Sequence, residues 1–341
     1  MDFKLTDKEK LVLWGLVEHP ELNDVELSKK LEVKRRTFSA IKTKLKNNGV
    51  FSTLIVPDFN MLGCEILTVS YGNFNPGLTF EDRKKDAEKV MGCEEVIYAG
   101  TTGREYLLLS MSKNFTDFRK KLNAISIAYV QKNFVENMHD VHFPFEISSP
   151  QFFGFSGLIK LLFNLDVECE KKYESKRESV KLTKNEKKAL YALVKMPDAK
   201  TEEITSKTGI PDHTLFRIKK KLLDEGIIKI IKIPNFAFLG CCELMALIHT
   251  EYKLDKRNGF SHTPEDIFRV SSEFESVSLS LFKNYTDYRN YYDQKLEYLR
   301  KNDLIDKEPD VLLFSMQNFT QFKGVSFAPL VKKLLEVDAE F

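Results

Sequence analysis

Apolar residues recur at helical spacing in three consecutive segments near the start of the chain. In segments 8–19 and 24–31 they line an inward face, and segment 34–47 repeats the pattern at intervals of three and four residues. The inward face of the third segment consists of Phe38, Ile41 and Leu45. The β-branched content of 50–56 is typical of a strand. Three short helices followed by a β segment predict a winged helix-turn-helix.

The same pattern returns later in the chain. Shifted by 177 positions, Leu5–Gly63 matches Leu182–Gly240 without a gap, with about 20 of 59 positions identical. In both segments a threonine, Thr6 or Thr183, stands three residues before a glutamate, which is the spacing of a capping box at a helix start. Because the match preserves helix starts and helix stops together, it predicts a tandem duplication.

A second internal similarity follows each helix-turn-helix segment. Lys113–Arg119 (KNFTDFR) corresponds to Lys283–Arg289 (KNYTDYR) at a shift of 170, and Gln151–Ser156 corresponds to Gln321–Ser326 before a short terminal helix. In the first copy the predicted strands are 66–71, 94–99, 105–111 and 140–145, and the predicted helices are 80–90 and 115–129. The order βαββαβ predicts a ferredoxin-like module and an α+β fold class.

These repeats divide the chain into five predicted domains. They are a first winged helix-turn-helix at 1–63, a first ferredoxin-like module at 64–165, a charged linker at 166–181, a second winged helix-turn-helix at 182–240, and a second ferredoxin-like module at 241–341. A length of 341 residues exceeds what one hydrophobic core usually organises, which agrees with several small domains.

Positive charge is concentrated around the third predicted helix. The chain has a net charge of only +2, yet 28–48 contains eight lysines and arginines against the single acid Glu32. The outward face of this helix carries Lys34, Arg35, Arg36, Ser39, Lys42 and Thr43. The corresponding face of the second copy carries Asp212, His213, Phe216, Arg217, Lys219 and Lys220. Such faces can contact phosphates and base edges of double-stranded DNA, although a lysine-rich helix is also typical of a solvated surface.

Composition narrows the remaining choices. The five cysteines form no CxxC pair and have no metal-ligand spacing, so we expect thiols in a reducing compartment and no metal site. No apolar run approaches the roughly 20 residues of a membrane span, and the N-terminus lacks the form of a signal peptide. A soluble, cytoplasmic protein is expected. The abundance of lysine, glutamate and isoleucine agrees with a thermophilic, archaeal source.

The order of these parts resembles the Lrp/AsnC transcription regulators of bacteria and archaea. The resemblance rests on Lys44–Val50 (KLKNNGV) and Lys221–Ile227 (KLLDEGI) after the helix-turn-helix, and on Gly100–Leu109 (GTTGREYLLL), which looks like part of that family's effector-binding and dimerisation domain. It implies a sequence-specific DNA-binding regulator rather than an enzyme, without a cofactor, and with a small-molecule effector at the α/β modules. Family members are usually half as long, so this chain resembles two fused units that address two half-sites.

Two other functions stay open. Some proteins on this scaffold resemble tetrapyrrole (siroheme-type) decarboxylases, and the nearest candidates for such a site are Arg104, Tyr106, His139 and His142. His139 and His142 lie three apart on a predicted strand and are expected to face opposite sides.

Alternatively, the chain is a scaffold for homo-oligomers or transcription proteins, which would use Phe152, Phe153, Phe155 and Phe216. Adjacent Cys241 and Cys242 suggest redox sensing, with simple packing as the ordinary interpretation.

Overall fold

The computed structural model describes residues 4–79, 81–85, 92–152, 154–168, 180–253 and 263–338. Across these residues, helices accompany two five-stranded sheets and one two-stranded sheet. None of the helices in these ranges is long and apolar enough to cross a membrane.

Three helices form the first head. They are α1 (Asp7–Glu18), α2 (Asp24–Lys30) and α3 (Arg35–Asn47). Thr6 and Glu9 form the predicted capping box at the start of α1. Phe38 and Leu45 of α3 are fully buried, which confirms the inward face. After α3 the chain turns at Gly49, whose φ of +65° is readily adopted only by glycine.

The first half continues with a strand and an α/β module. The strand is β1 (Phe51–Pro57), and the first module consists of β2 (Ile66–Phe74), β3 (Val96–Thr101), β4 (Glu105–Ser112), α4 (Phe115–Gln131) and β5 (Val135–Pro144). Residues 81–85 are helical, in agreement with the predicted helix 80–90, of which 80 and 86–90 lie outside the described residues. The strand β6 (Ser149–Phe152) and the helix α5 (Ser156–Phe163) follow.

The second half has a similar order of elements. The second head consists of α6 (Lys184–Lys195), α7 (Thr201–Thr208) and α8 (Asp212–Asp224). It is followed by β7 (Ile228–Pro234) and the short helix α9 (Phe236–Leu239). The second module consists of β8 (Leu244–Glu251), β9 (Asp266–Ser271), β10 (Glu275–Phe282), α10 (Tyr285–Lys301) and β11 (Asp310–Ser315). The last elements are β12 (Thr320–Lys323) and α11 (Ala328–Leu335).

The strands of each module follow one order in their sheet. The first module has the order β3-β4-β2-β5, and the second has β9-β10-β8-β11. The pairings of β2 with β4 and β5, of β3 with β4, and of β10 with β8 and β9 are antiparallel. The described residues therefore form a mixed α/β structure with antiparallel sheets, which agrees with the predicted α+β class.

A fifth strand extends each sheet, and it comes from the other half of the chain. The strand β12 pairs antiparallel with β3, and β6 lies beside β9. The chain accordingly forms two compact units, each of which combines segments from both halves. One unit comprises Met1–Leu54, Pro150–Glu174 and Ile230–Val311, and the other comprises Ile55–Ser149, Ser175–Lys229 and Leu312–Phe341. The first unit thus contains the first head and most of the second module, and the second unit contains the first module and the second head.

Each unit also contains a terminal helix that packs on its head. In the first unit α5 packs against α1, where the Lys10 ammonium lies 6.0 Å from the Phe163 ring. In the second unit α11 packs against α6, and the Phe59 and Phe327 rings lie 5.1 Å apart. The five predicted domain boundaries stay a prediction, and most of the predicted linker, 169–179 with Cys169, lies outside the described residues.

The predicted strand after the first head is found within one residue of its expected bounds. The strands β1 and β7 form the two-stranded sheet. In the first unit the Asn235 amide donates to the Val50 carbonyl at 2.8 Å. In the second unit the Asp58 amide donates to the Ile227 carbonyl, also at 2.8 Å. Each third helix is therefore followed by one strand whose ends are fixed by backbone hydrogen bonds.

Candidate nucleic-acid interface

The third helix of each head begins without a side-chain cap. Lys34 precedes α3 and Pro211 precedes α8, and neither residue makes a capping hydrogen bond. By contrast, α1, α2 and α6 all begin with a complete capping box. The first amides of an α-helix have no partner within the helix and carry partial positive charge. The free amides at the starts of α3 and α8 are therefore suited to donate hydrogen bonds to a phosphate oxygen.

Three predicted residues form a basic cluster at the start of α3. Lys34, Arg35 and Arg36 are exposed, and within the described part of the chain no ion pair is found for them. An exposed guanidinium without a carboxylate partner keeps its hydrogen-bond donors available for an external anion. The basic cluster and the uncapped amides thus lie on the same turn of the first head.

The other three predicted residues of the first head are engaged within the protein. The Lys42 ammonium pairs with the Asp24 carboxylate at 2.6 Å, and the Ser39 hydroxyl donates to the same carboxylate at 3.2 Å. The Thr43 hydroxyl donates to the Ser39 carbonyl at 2.8 Å within the helix. The sequence did not predict these contacts of Asp24, which lies in α2, because its partners lie 15 and 18 residues further along the chain.

The second head presents a different surface. His213, Phe216, Arg217 and Lys220 are exposed, and the Phe216 side chain is 70% exposed. Asp212, at the position of Arg35, accepts a hydrogen bond from the Thr205 hydroxyl. Lys219 is half-buried, and the position of Asp24 is taken by Thr201. The start of α8 is therefore less positive than the start of α3, and it adds an exposed aromatic ring.

A buried glutamate fixes the third helix in each head. Glu9 accepts a hydrogen bond from Lys44 at 2.6 Å, and Glu186 accepts one from Lys221 at 2.7 Å. The hydrogen bond from Lys44 lowers the pKa of Glu9. Burial alone would raise the pKa of Glu186, but the hydrogen bonds from Lys221 and Thr183 lower it. The glutamate and the lysine are each identical between the two copies of the repeat. This identity is the signal by which the sequence could have indicated the ion pair.

The candidate decarboxylase residues do not share one site. His142 contacts the Thr68 hydroxyl and Arg119 at 3.0 Å each, whereas His139 stacks on Tyr71, which lies on the other face of β2. This arrangement confirms the expected opposite orientation of the two histidines. Arg104 pairs with Glu136. Among the four, Tyr106 lines a cavity inside the first module.

The remaining candidates lie mainly in cores. Phe155 is buried and packs on Phe236, while Phe152 packs on Phe268. Phe153 lies outside the described residues. Cys242 is buried and Cys241 is half-buried, and both lie just before β8. Among the described residues no group of three or more histidines, cysteines and acids is placed to hold a metal ion.

The second head and its flanking strand match a known protein family. Residues 178–245 match the family described as sugar-specific transcriptional regulator TrmB. This segment contains α6, α7, α8 and β7, so a helix-turn-helix of a transcription regulator is supported for this part of the chain. No curated protein matches the sequence.

Over most of its length the chain is similar in structure to an enzyme. The siroheme decarboxylase NirDL aligns with a TM-score of 0.52 at 11% identity, over 96% of this chain and 98% of that chain. Its co-complex with an iron-uroporphyrin III analogue aligns with a TM-score of 0.51, over 92% of each chain. An AsnC family transcriptional regulator from Agrobacterium tumefaciens aligns at 16% identity with a TM-score of 0.35, over 41% of this chain and 90% of that chain. The first similarity shows that the overall fold of the chain is that of NirDL.

Proposed function

We propose that the chain is a sequence-specific DNA-binding transcription regulator of the cytoplasm. The observation that carries the proposal is the basic cluster Lys34, Arg35 and Arg36, which lies on the uncapped first turn of α3. In helix-turn-helix proteins the start of the third helix is the part that reaches the base edges of the major groove. The match of the second head to a transcription regulator family supports the same assignment.

The first head supplies most of the affinity in this proposal. Arg35 and Arg36 donate to phosphate oxygens or to guanine, and the first amides of α3 donate to the oxygens of a DNA phosphate. Lys42 and Ser39 bind Asp24 in the free protein, so they contact DNA only if that hydrogen-bonded group opens. Thr43 lies one turn further along the same helix.

The second head reads a different half-site. Phe216 and Arg217 are exposed on α8, and an aromatic side chain can contact the methyl group of thymine. Asp212 and His213 replace Arg35 and Arg36, so phosphate contacts at the helix start are fewer. We therefore expect an asymmetric operator, with Lys219 and Lys220 providing the main backbone contacts of the second half.

Tandem duplication provides the physical advantage of this arrangement. Two heads on one chain bind at a high effective concentration, so that modest individual affinities combine. The half-sites are expected about one helical turn apart, or a multiple of it. A small-molecule effector at the α/β modules and further homo-oligomer contacts belong to the same proposal.

Selection of bound fragments from random duplex DNA tests this function. At about 150 mM salt non-specific attraction is weak, and a two-part asymmetric site should be enriched. Arg35→Ala with Arg36→Ala should weaken binding to that site and reduce the slope of log K against log salt by about 0.9 for each lost phosphate contact.

Lys84→Ala with Lys85→Ala is the matched control. Both lysines are exposed and lie in the first module. Their substitution removes two positive charges, as in the arginine variant, but outside both heads. The control variant should keep the affinity of the parent chain. Lack of any enriched site, or equal losses in the two double variants, would overturn the proposal.

The decarboxylase alternative rests on the fold similarity to NirDL. Within the described residues, Arg104, His139 and His142 each have a protein partner, and they lie on different faces of the first module. The alternative makes its own distinct prediction, which is saturable binding of a tetrapyrrole carboxylate. An absorbance titration with a porphyrin tetracarboxylate, in the presence and absence of the selected DNA, separates the two functions.

A further inference from the structure

A cavity of about 90 Å³ lies inside the first module, between the sheet and α4. Its apolar walls include Phe74, Val96, Ala99, Leu108, Phe118 and Leu122. An engineered apolar cavity of about 150 Å³ holds benzene, so this one suits a ligand, or the end of a ligand, of about four non-hydrogen atoms.

Within the described ranges of the chain, two buried hydroxyl groups in the cavity wall have no hydrogen-bond partner. They are the Tyr106 hydroxyl and the Ser110 hydroxyl, and both residues line the cavity. A buried polar group without a partner costs about 1–3 kcal/mol, and for this reason such groups are rare in proteins. Two of them in one small cavity indicate that a partner is supplied from outside the chain.

The second module satisfies the corresponding hydroxyls with its own side chains. At the shift of 170, Tyr106 corresponds to Ser276 and Ser110 to Ser280. Ser276 lies 2.9 Å from the Tyr252 hydroxyl, and Ser280 donates to Asp266 at 2.6 Å.

The residues that replace Tyr252 and Asp266 in the first module are apolar. The Tyr252 amide donates to the Phe274 carbonyl, and in the same register the Phe74 amide donates to the Arg104 carbonyl. Phe74 therefore corresponds to Tyr252, and Val96 corresponds to Asp266 at the shift of 170. Phe74 and Val96 both line the cavity. The first module thus lacks the two internal partners, and the apolar residues in their places line the cavity.

We propose that this cavity binds a small, neutral, mostly apolar molecule with one hydrogen-bonding oxygen, such as a short alcohol, ketone or amide. The oxygen hydrogen-bonds with a hydroxyl of Tyr106 or Ser110, and the carbon chain contacts Phe74 and Val96. The cavity shares no side chain with the residues proposed to contact DNA, so failure of DNA binding and failure of this site are distinguishable.

The charged groups at the cavity favour a neutral ligand. Glu95 and Lys121 line it, and they pair with each other, while Lys333 donates to the same carboxylate at 2.7 Å. Burial alone would raise the pKa of Glu95, but these two hydrogen bonds lower it to about 2, so the carboxylate is ionised and engaged. Burial raises the pKa of Tyr106, which keeps its hydroxyl protonated as a donor.

Methyl-resolved NMR of the full chain tests the site. The probes are 1-propanol and 1-chloropropane, which have similar shapes but differ in the hydroxyl group. We expect saturable shifts of the Leu108, Leu122 and Met138 methyl signals, with 1-propanol bound about tenfold more tightly, as one or two buried hydrogen bonds imply.

Two variants distinguish the contribution of the hydroxyl groups to binding from that of the cavity volume. Tyr106→Phe with Ser110→Ala should abolish the preference for 1-propanol while leaving the folded spectrum intact, since it removes only unpartnered groups. Ala99→Leu should fill the cavity and abolish binding of both probes. Shifts that stay linear up to 100 mM, equal binding of the two probes, or an unchanged preference in the double variant would each overturn the proposal.

Discussion

The Lys44 ammonium in α3 donates a hydrogen bond to the Glu9 carboxylate in α1 at 2.6 Å. Glu9 also closes the capping box with Thr6, so one buried carboxylate both starts the first helix and holds the third. Its side chain is only 6% exposed, whereas that of Lys44 is 54% exposed. The orientation of α3 is therefore coupled to the cap of another helix.

Glu9→Gln should destabilise the first head by about 1 kcal/mol. Glutamine is also favoured at this capping position, so the substitution mainly removes the charge that pairs with Lys44. Fluorescence of Trp14, the single tryptophan of the chain, can follow urea unfolding of this head. Glu26→Gln is the control, because Glu26 closes the capping box of α2 and is exposed. Equal effects of the two substitutions would show that the ion pair contributes nothing.

The cost of Glu9→Gln should depend on pH. The hydrogen bond from Lys44 lowers the pKa of Glu9, so the native state binds this proton less readily than the unfolded chain. The stabilisation is therefore complete above the unfolded pKa of about 4.3 and is lost as the pH falls through the lower native value. Unfolding at pH 7 and at pH 3 should show a smaller difference between parent and variant at pH 3.

Asp24→Asn should strengthen DNA binding by the first head. The Asp24 carboxylate holds Lys42 at 2.6 Å, and its removal releases one lysine for phosphate contact. Affinity for the selected site should rise, and the slope of log K against log salt should steepen by about 0.9. Binding titrations at several salt concentrations measure both quantities.

Lys42→Ala and Asp24→Asn together form a double-mutant cycle. Alone, Lys42→Ala should change DNA affinity little, since Lys42 is already engaged by Asp24. If released Lys42 causes the gain, Asp24→Asn should have a smaller effect in the Lys42→Ala background. A gain that is equal in both backgrounds would show that only the loss of negative charge matters.

Gly72→Ala should destabilise the first module by about 1–3 kcal/mol. A Cβ atom at this position of β2 would lie 2.3 Å from the Asn137 carbonyl oxygen of β5, and backbone atoms yield less easily than side chains. Circular dichroism during heating measures the loss. Gly77→Ala is the control, because the nearest atom there is a side-chain oxygen at 3.3 Å. Similar melting of both variants would contradict the close approach.

Local signals in the sequence predicted the helices of the heads well. Capping-box spacing and three-four apolar spacing depend only on neighbours within one helix, and α1, α3 and α6 begin where these signals indicate. The strand β5 begins five residues before the predicted start, at Val135. Its early residues are mostly polar because it is an edge strand of its sheet, and apolar alternation fades there.

The sequence did not predict features that depend on contacts between distant parts of the chain. The strands β6 and β12 are four residues each, too short for any pattern to specify which sheet they join. The helix α9 is also four residues long, and Cys241 and Cys242 lie between it and β8. The pair of Asp24 with Lys42 and the cavity next to Tyr106 depend on packing between elements that are distant in the chain.

Lys295 and Asp266 are two members of a buried ionic cluster in the second module, between the sheet and α10. Lys295 is 4% exposed, Asp266 is 1% exposed and Arg269 is 7% exposed. Burial lowers the pKa of Lys295 to about 8, while Asp266 opposes this shift and Arg269 adds to it. The unfolded chain keeps this proton up to about pH 10.4. Between about pH 8 and pH 10.4 the unfolded state thus binds more protons than the native state, and this group makes the free energy of unfolding rise with pH.

Lys295→Met should remove that rise, because methionine has a similar volume and does not titrate. Relative to the variant, the parent chain should gain about 2 kcal/mol in the free energy of unfolding between pH 7 and pH 9.5. Urea unfolding followed by circular dichroism at both pH values measures the gain. Lys301→Met, at an exposed position of the same helix, should keep the pH dependence of the parent. If Lys295→Met also keeps it, the native state holds the Lys295 proton as firmly as the unfolded chain, which requires Asp266 to outweigh both burial and Arg269.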